Sequence, residues 1–278
     1  MTFFIFLAVL AAALLHASWN ALVKSGDNKQ TGMLILTVGH ALVGICLVPF
    51  LSFPTGEVWI WLFASGVIHM FYQLFLGFAY EKGDLSRVYP IARGAAPMIV
   101  LAISLAFGID DLSGGDLLGI LVLGFGILLM SWGAIRSGEN RKLIPLALGS
   151  AVATAGYSLV DGMGARVMGD AFAYVSWLLI FSAVFYTPAI LAIRGRSVLP
   201  TNFRQVKMGI VAGIASFAAY AIVVWAMTEA PIAVVTALRE TSILFAVLIG
   251  WLVFGDKMNG PKWLAAGFIV LGVILTRL

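Results

Sequence analysis

Apolar residues fill this chain in runs of about twenty, and polar residues gather in the short gaps between them. Ten such runs are legible, at 2–23, 31–51, 57–80, 85–107, 114–135, 143–161, 171–193, 205–228, 231–254 and 261–276. About 20 apolar residues is the length an α-helix needs to cross a bilayer, and lipid tolerates only helices and closed barrels. The pattern therefore predicts an all-α polytopic membrane protein with ten transmembrane helices. The gaps leave no room for a soluble domain. The first run has no basic segment ahead of it and continues into "HASWNALVK", so it reads as a span and not as a cleaved signal peptide. Cys46, the single cysteine, lies inside the second run and excludes an intramolecular disulfide.

Composition agrees with the pattern. Of 278 residues, 62% are hydrophobic and 11% charged, whereas soluble domains carry about 25% charged residues. Mean hydropathy is +1.04. The net charge of +4 reflects where the charges sit: the odd-numbered loops hold thirteen Lys and Arg, and the even-numbered loops and termini hold only Arg166 and Arg277. Such a bias places the odd loops in the cytoplasm. Both termini are then expected in the periplasm of a bacterial inner membrane. Topology accounts for the basic residues without a nucleic-acid partner.

The chain also repeats itself. His16, Trp19 and Asn20 in span one stand at i, i+3 and i+4, and so do Thr154, Tyr157 and Ser158 in span six. Spans four and nine match with a shift of 146, which pairs Arg93 with Arg239 and Asp110 with Asp256. Two halves, 1–138 and 139–278, each contain five spans. An odd number of spans per half inverts the second copy in the membrane, an arrangement typical of transporters with a midplane site.

The motifs "HASWNALVK", "VYPIARGAAP" and "TALRETSILFAVLIGWLVFGDK", set in two five-helix halves, resemble the EamA-type branch of the drug/metabolite transporter superfamily. "HASWN" with "YPIARGAAP" is further similar to permease-like proteins associated with phosphonate utilisation. The resemblance implies ten helices, alternating access, and a central cavity lined by spans one, three, four, six, eight and nine. It also implies that spans five and ten lie at the periphery.

Arg93 and Arg239 are the principal site candidates. Each lies about eight residues into its span, roughly 12 Å at 1.5 Å per residue, and from opposite sides. A charge near the middle of a core about 30 Å thick costs at least about 2.5–3.5 kcal/mol and needs a cavity or a partner. Pro90 and Pro97 flank Arg93 and free backbone carbonyls. Glu240, read as the only acid deep in a span, neutralises one arginine, carries a proton or meets an ammonium group. Two arginines against one acid leave a positive charge that an anionic or zwitterionic substrate balances. The bland alternative is a structural ion pair of Glu240 with Arg93 or Arg239.

Further substrate-binding candidates are His16, Trp19 and Asn20, the span-three stripe of His69, Tyr72, Gln73 and Tyr80, then Tyr89, Tyr157 and Tyr220. Trp177 is a lesser wall candidate. His40 is assigned an interhelical hydrogen bond, and Asp161 a cap or a pairing with Arg166. No metal-ligand spacing, phosphate loop or cofactor motif occurs, so no cofactor and no catalysis are expected. The reading is a secondary transporter of a small anionic or zwitterionic metabolite. Its rivals are a membrane-embedded enzyme acting on lipid and an exporter of lipophilic or cationic compounds, which an arginine-lined middle would repel. Gly115 and Gly119 form a small-xxx-small pair that suggests a homodimer through helices five and ten.

Overall fold

The computed structural model describes residues 1–24, 28–82, 93–136, 143–255, 258 and 260–277. Regular structure in them is helical: α1 (Phe3–Lys24), α2 (Lys29–Leu47), α3 (Val58–Lys82), α4 (Ala96–Phe107), α5 (Gly114–Arg136), α6 (Leu143–Met168), α7 (Ala171–Arg194), α8 (Phe203–Glu229), α9 (Ile232–Arg239), α10 (Ser242–Phe254) and α11 (Gly260–Leu275). Seven stretches are long and apolar enough to cross a membrane, the last running from Ile232 to Leu252 through α9 and α10. Ala96–Phe107, Gly114–Met130 and Gly260–Leu275 are shorter apolar helices. The chain is a multi-pass membrane protein, helical throughout the regular structure of its described residues.

Local chemistry sets the helix ends. Asn28 Oδ1 accepts from the Gln30 and Thr31 amides at the start of α2, Asp170 Oδ1 from Ala173 at the start of α7, and Asn202 Oδ1 from Gln205 at the start of α8. Gly108 (φ 59°) and Gly255 (φ 71°) close α4 and α10 in the left-handed conformation that only glycine adopts freely. The start of α9 is capped from far away in sequence. Asp110 Oδ2 accepts from the Ile232 amide at 2.7 Å and the Ala233 amide at 3.4 Å, while Oδ1 takes Arg166 Nη2 at 2.9 Å.

Two spans expected to be continuous are interrupted. Arg93 and Gly94 are helical, Ala95 bends, and α4 begins at Ala96 with Pro97 in its first turn, where a missing N–H costs nothing. In the other half α9 ends at Arg239, Glu240 and Thr241 form a turn, and α10 begins at Ser242. The breaks stand at matching places, residues 95 and 241 being related by the same shift of 146. No proline marks the second. Span six also runs further than expected, to Met168. Tyr89, Pro90 and Asp256 lie outside the described residues.

Neighbouring helices meet in a definite set. α1 packs on α8, α3 on α6, α2 on α7 and α8, α3 on α7, α1 on α10, α4 on α6, and α5 on α11. Glycines bring several of these backbones close. A Cβ on Gly213 would lie 2.8 Å from the Gly39 carbonyl carbon and the His40 amide nitrogen, and one on Gly119 would lie 2.7 Å from the Thr276 nitrogen. Gly119 therefore serves the α5–α11 contact inside the chain. Outward faces stay apolar and exposed, as Leu121, Phe125 and Leu271 show, which suits a surface solvated by lipid.

Candidate functional site

A cavity of about 240 Å³ opens between α1, α2, α3, α6, α7 and α8. His16, Trp19 and Asn20 face it from α1, and Tyr72, Gln73 and Tyr80 from α3. Tyr157 of α6 and Tyr220 of α8 complete the aromatic wall. The cavity thus brings nine of the sequence candidates together, with His69 among them. The sequence did not single out the contribution of α2: Lys29, Met33, Leu36 and His40 also line the space. A run that carries one polar residue per turn or two looks like an ordinary span, and only its packing against α7 and α8 reveals the inward stripe.

Several polar atoms of this wall have no partner among the described residues. They are Trp19 Nε1, both ring nitrogens of His40, and Gln73 Oε1. The three residues are 6%, 4% and 3% exposed. Gln73 Nε2 donates to Ser182 Oγ at 3.1 Å, which fixes the amide and leaves its carbonyl oxygen over. His40 was expected to bridge helices; instead it borders the cavity with both nitrogens unengaged. A buried polar group without a partner costs about 1–3 kcal/mol, so this wall holds interaction capacity in reserve.

Arg93, Arg239 and Glu240 do not border the cavity. They form a buried cluster beside it, 1%, 3% and 0% exposed. Arg93 Nε donates to Glu240 Oε2 at 2.6 Å and Nη2 to Oε1 at 2.7 Å, a bidentate pair. Arg239 Nη2 reaches the same Oε1 at 3.2 Å, and its guanidinium carbon lies 5.4 Å from the Tyr157 ring centre. The breaks at Ala95 and Glu240–Thr241 are what bring these three side chains together. The cluster carries one net positive charge, and Tyr157 stands between Arg239 and the cavity.

Asp161 corrects two expectations. It neither caps its helix nor pairs with Arg166, which turns instead to Asp110 and to the Met227 and Ala230 carbonyls. It is also a second fully buried acid, beside Glu240. Its carboxylate accepts from His69 Nε2 at 3.0 Å, from the Tyr174 hydroxyl at 3.4 Å and from the Tyr220 hydroxyl. His69 in turn stacks on Tyr157, ring centres 4.3 Å apart. Position near the predicted end of span six hid this, because α6 continues to Met168 and buries residue 161. Trp177, also a wall candidate, packs with Phe53 and Trp59 away from the cavity.

Residues 141–278 match the model of the EamA-like transporter family. Among 29 matching solved chains, one protein crystal structure aligns with a TM-score of 0.76 over 99% of this chain and 98% of its own, at 18% identity. That likeness is one of fold. No curated protein matches the sequence.

Proposed function

We propose that the chain is an EamA-like secondary transporter of a small zwitterionic or anionic metabolite, working by alternating access, a reading supported by the match of residues 141–278 to the model of that family. Two inverted five-helix repeats, 1–138 and 139–278, form the ten-span body. Three features support the repeat. The matched family region begins where the second half does, the helix breaks fall at equivalent positions, and the contacts exchange. Swapping α1 with α6, α2 with α7, α3 with α8 and α4 with α10 turns α1–α8 into α6–α3, α2–α8 into α7–α3, and α1–α10 into α6–α4.

The unengaged polar set in the cavity wall carries the substrate reading. An indole N–H and an imidazole suit a carboxylate or related anion, and an amide oxygen suits an ammonium group. The faces of Tyr72, Tyr157 and Tyr220 add cation–π attraction for that ammonium. The net positive Arg93–Glu240–Arg239 cluster acts on the anionic group from behind Tyr157 rather than by direct contact. A space of about 240 Å³ falls below the roughly 300–1,000 Å³ typical of pockets for drug-sized ligands. That favours a metabolite over a bulky lipophilic cation. The charge bias puts both termini in the periplasm of a bacterial inner membrane. A homodimer through α5 and α11 would use their outer faces, since Gly119 is engaged within the chain.

The test is a thermal-stability screen of the purified full-length protein against L-amino acids, dicarboxylates, alkylphosphonates and lipophilic cations, followed by uptake into proteoliposomes. A true substrate at about a hundred times its Kd stabilises by about 2.7 kcal/mol. Gln73→Leu and Trp19→Phe are expected to abolish that gain for zwitterions. Stabilisation by the lipophilic cations alone would overturn this reading in favour of an exporter.

A further inference from the structure

We infer that His69 and Asp161 form a proton-binding site in the cavity wall, linked to occupation of the cavity. The site rests on geometry. Asp161 is fully buried, and no lysine or arginine pairs with it among the described residues. Its oxygens are held by two phenol hydroxyls, of Tyr174 and Tyr220, and by one imidazole, of His69. His69 and Tyr220 border the cavity themselves. Ionisable groups inside a membrane protein that face a cavity are the usual carriers of coupling protons.

With Nε2–H of His69 donating to Asp161 Oδ2, Nδ1 is the ring's remaining basic atom. A proton from the cavity adds there, no bond breaks, and the charge of the pair goes from −1 to 0. The surrounding groups from each neighbouring helix are His40 of α2, Tyr72 of α3, Tyr157 of α6, Tyr174 of α7 and Tyr220 of α8. Arg239 stands behind Tyr157 and is already engaged by Glu240, which Arg93 also holds. His16 and Lys29 border the same space. Neutralising Asp161 therefore leaves the cavity more positive and favours an anionic group within it. By reciprocity, an anion in the cavity favours the added proton. The same carboxylate ties α3, α6, α7 and α8 together, so the proton changes the contact on which four helices converge.

The linkage, though not the proton site, rests on the transport reading above. The chain has three histidines, His16, His40 and His69, so nitrogen NMR of histidine-labelled full-length protein in nanodiscs resolves each ring, with protons as the probe. Single His→Gln variants assign the signals. The expected result is a His69 ring signal that differs between neutral and acidic buffer, and a response displaced or lost in Asp161→Asn. Should Asp161→Asn fail to fold, Tyr220→Phe removes one donor from the same carboxylate and carries the comparison. A His69 signal that does not change, or changes identically in the variant, overturns the proton site. Proteoliposomes loaded with a pH-sensitive dye and given an equimolar mixture of L-amino acids then read the linkage. Proton movement in wild type and at least about a tenfold slower movement in Asp161→Asn, within the span of typical coupling energies, supports it. A responsive His69 without proton movement keeps the site and overturns its linkage to transport of these compounds.

Discussion

Arg239 places its guanidinium 5.4 Å from the centre of the Tyr157 ring, and Tyr157 borders the cavity. A buried charge thus reaches the cavity through an aromatic ring. Tyr157→Phe keeps the ring and is expected to leave substrate affinity within about twofold. Tyr157→Leu removes the ring face proposed to meet the substrate's ammonium group, a cation–π contact of about 0.5–2 kcal/mol, or about two- to thirtyfold in affinity. Binding isotherms on the compound selected by the stability screen check the difference.

The buried ion cluster sets an order of damage. Arg93→Ala leaves Glu240 with Arg239 as its partner, whereas Glu240→Gln leaves two buried guanidiniums facing one another. Removing one partner of a buried pair costs about 3–5 kcal/mol. Glu240→Gln is expected to reach that range and Arg93→Ala to fall below it. Thermal unfolding in a mild detergent reads the order, and the reverse order would remove the shared-acid description.

Glycine substitutions separate helix contacts from lipid-facing surface. Gly213→Ala forces a methyl group against the Gly39 backbone, so the helices must part. Yield of folded protein should fall sharply. Gly267→Ala meets nothing within 4 Å and is expected to stabilise α11 by up to about 1 kcal/mol through helix propensity. Size-exclusion profiles and melting temperatures of the pair make the comparison.

Much of this was legible in the sequence, and the reasons differ by residue. Run length identified a multi-pass helical membrane protein, because a bilayer sets the length of a crossing helix; of the ten expected runs, seven appear among the described residues as stretches long enough to cross and three as shorter apolar helices. The spacing of His16, Trp19 and Asn20 and of His69, Tyr72 and Gln73 identified faces that do meet at the cavity. The fate of Arg93 could not be settled that way. Depth in a span says that a charge needs a partner, and the partner, Glu240, stands 147 residues away. Asp161 was misjudged for a related reason: a helix that outlasts its apolar run buries a residue that hydropathy puts at its end. The inward face of α2 was missed because one histidine among many leucines carries no periodic signal.

Asp110 offers a test of the long-range cap. Asp110→Ala removes the acceptor for the Ile232 amide and the partner of Arg166. Loss of an N-cap costs about 0.5–2 kcal/mol. Asp110→Asn, which keeps an acceptor oxygen, should recover part of it. Hydrogen exchange at Ile232 and Ala233 reports directly on the cap and should rise in Asp110→Ala only where the carboxylate had protected it.

Topology is checked with fusions at Leu278. A reporter active only in the cytoplasm is expected to stay silent there, and one active only in the periplasm to give signal. Cytoplasmic activity would reverse the orientation that the arginine and lysine distribution implies.

The bidentate grip of Arg93 on Glu240 also bears on how the protein is made. Synthesis runs from the N-terminus, so Arg93 is delivered to the membrane while residue 240 is still to be translated. During that interval the pairing with Glu240 is missing, and an arginine at a helix centre costs at least about 2.5–3.5 kcal/mol. Span four should therefore wait near the headgroups, with Arg93 reaching for water, and settle only after span nine arrives. Insertion of the first half is then provisional, and a chain truncated before Glu240 should be a preferred target of membrane quality control.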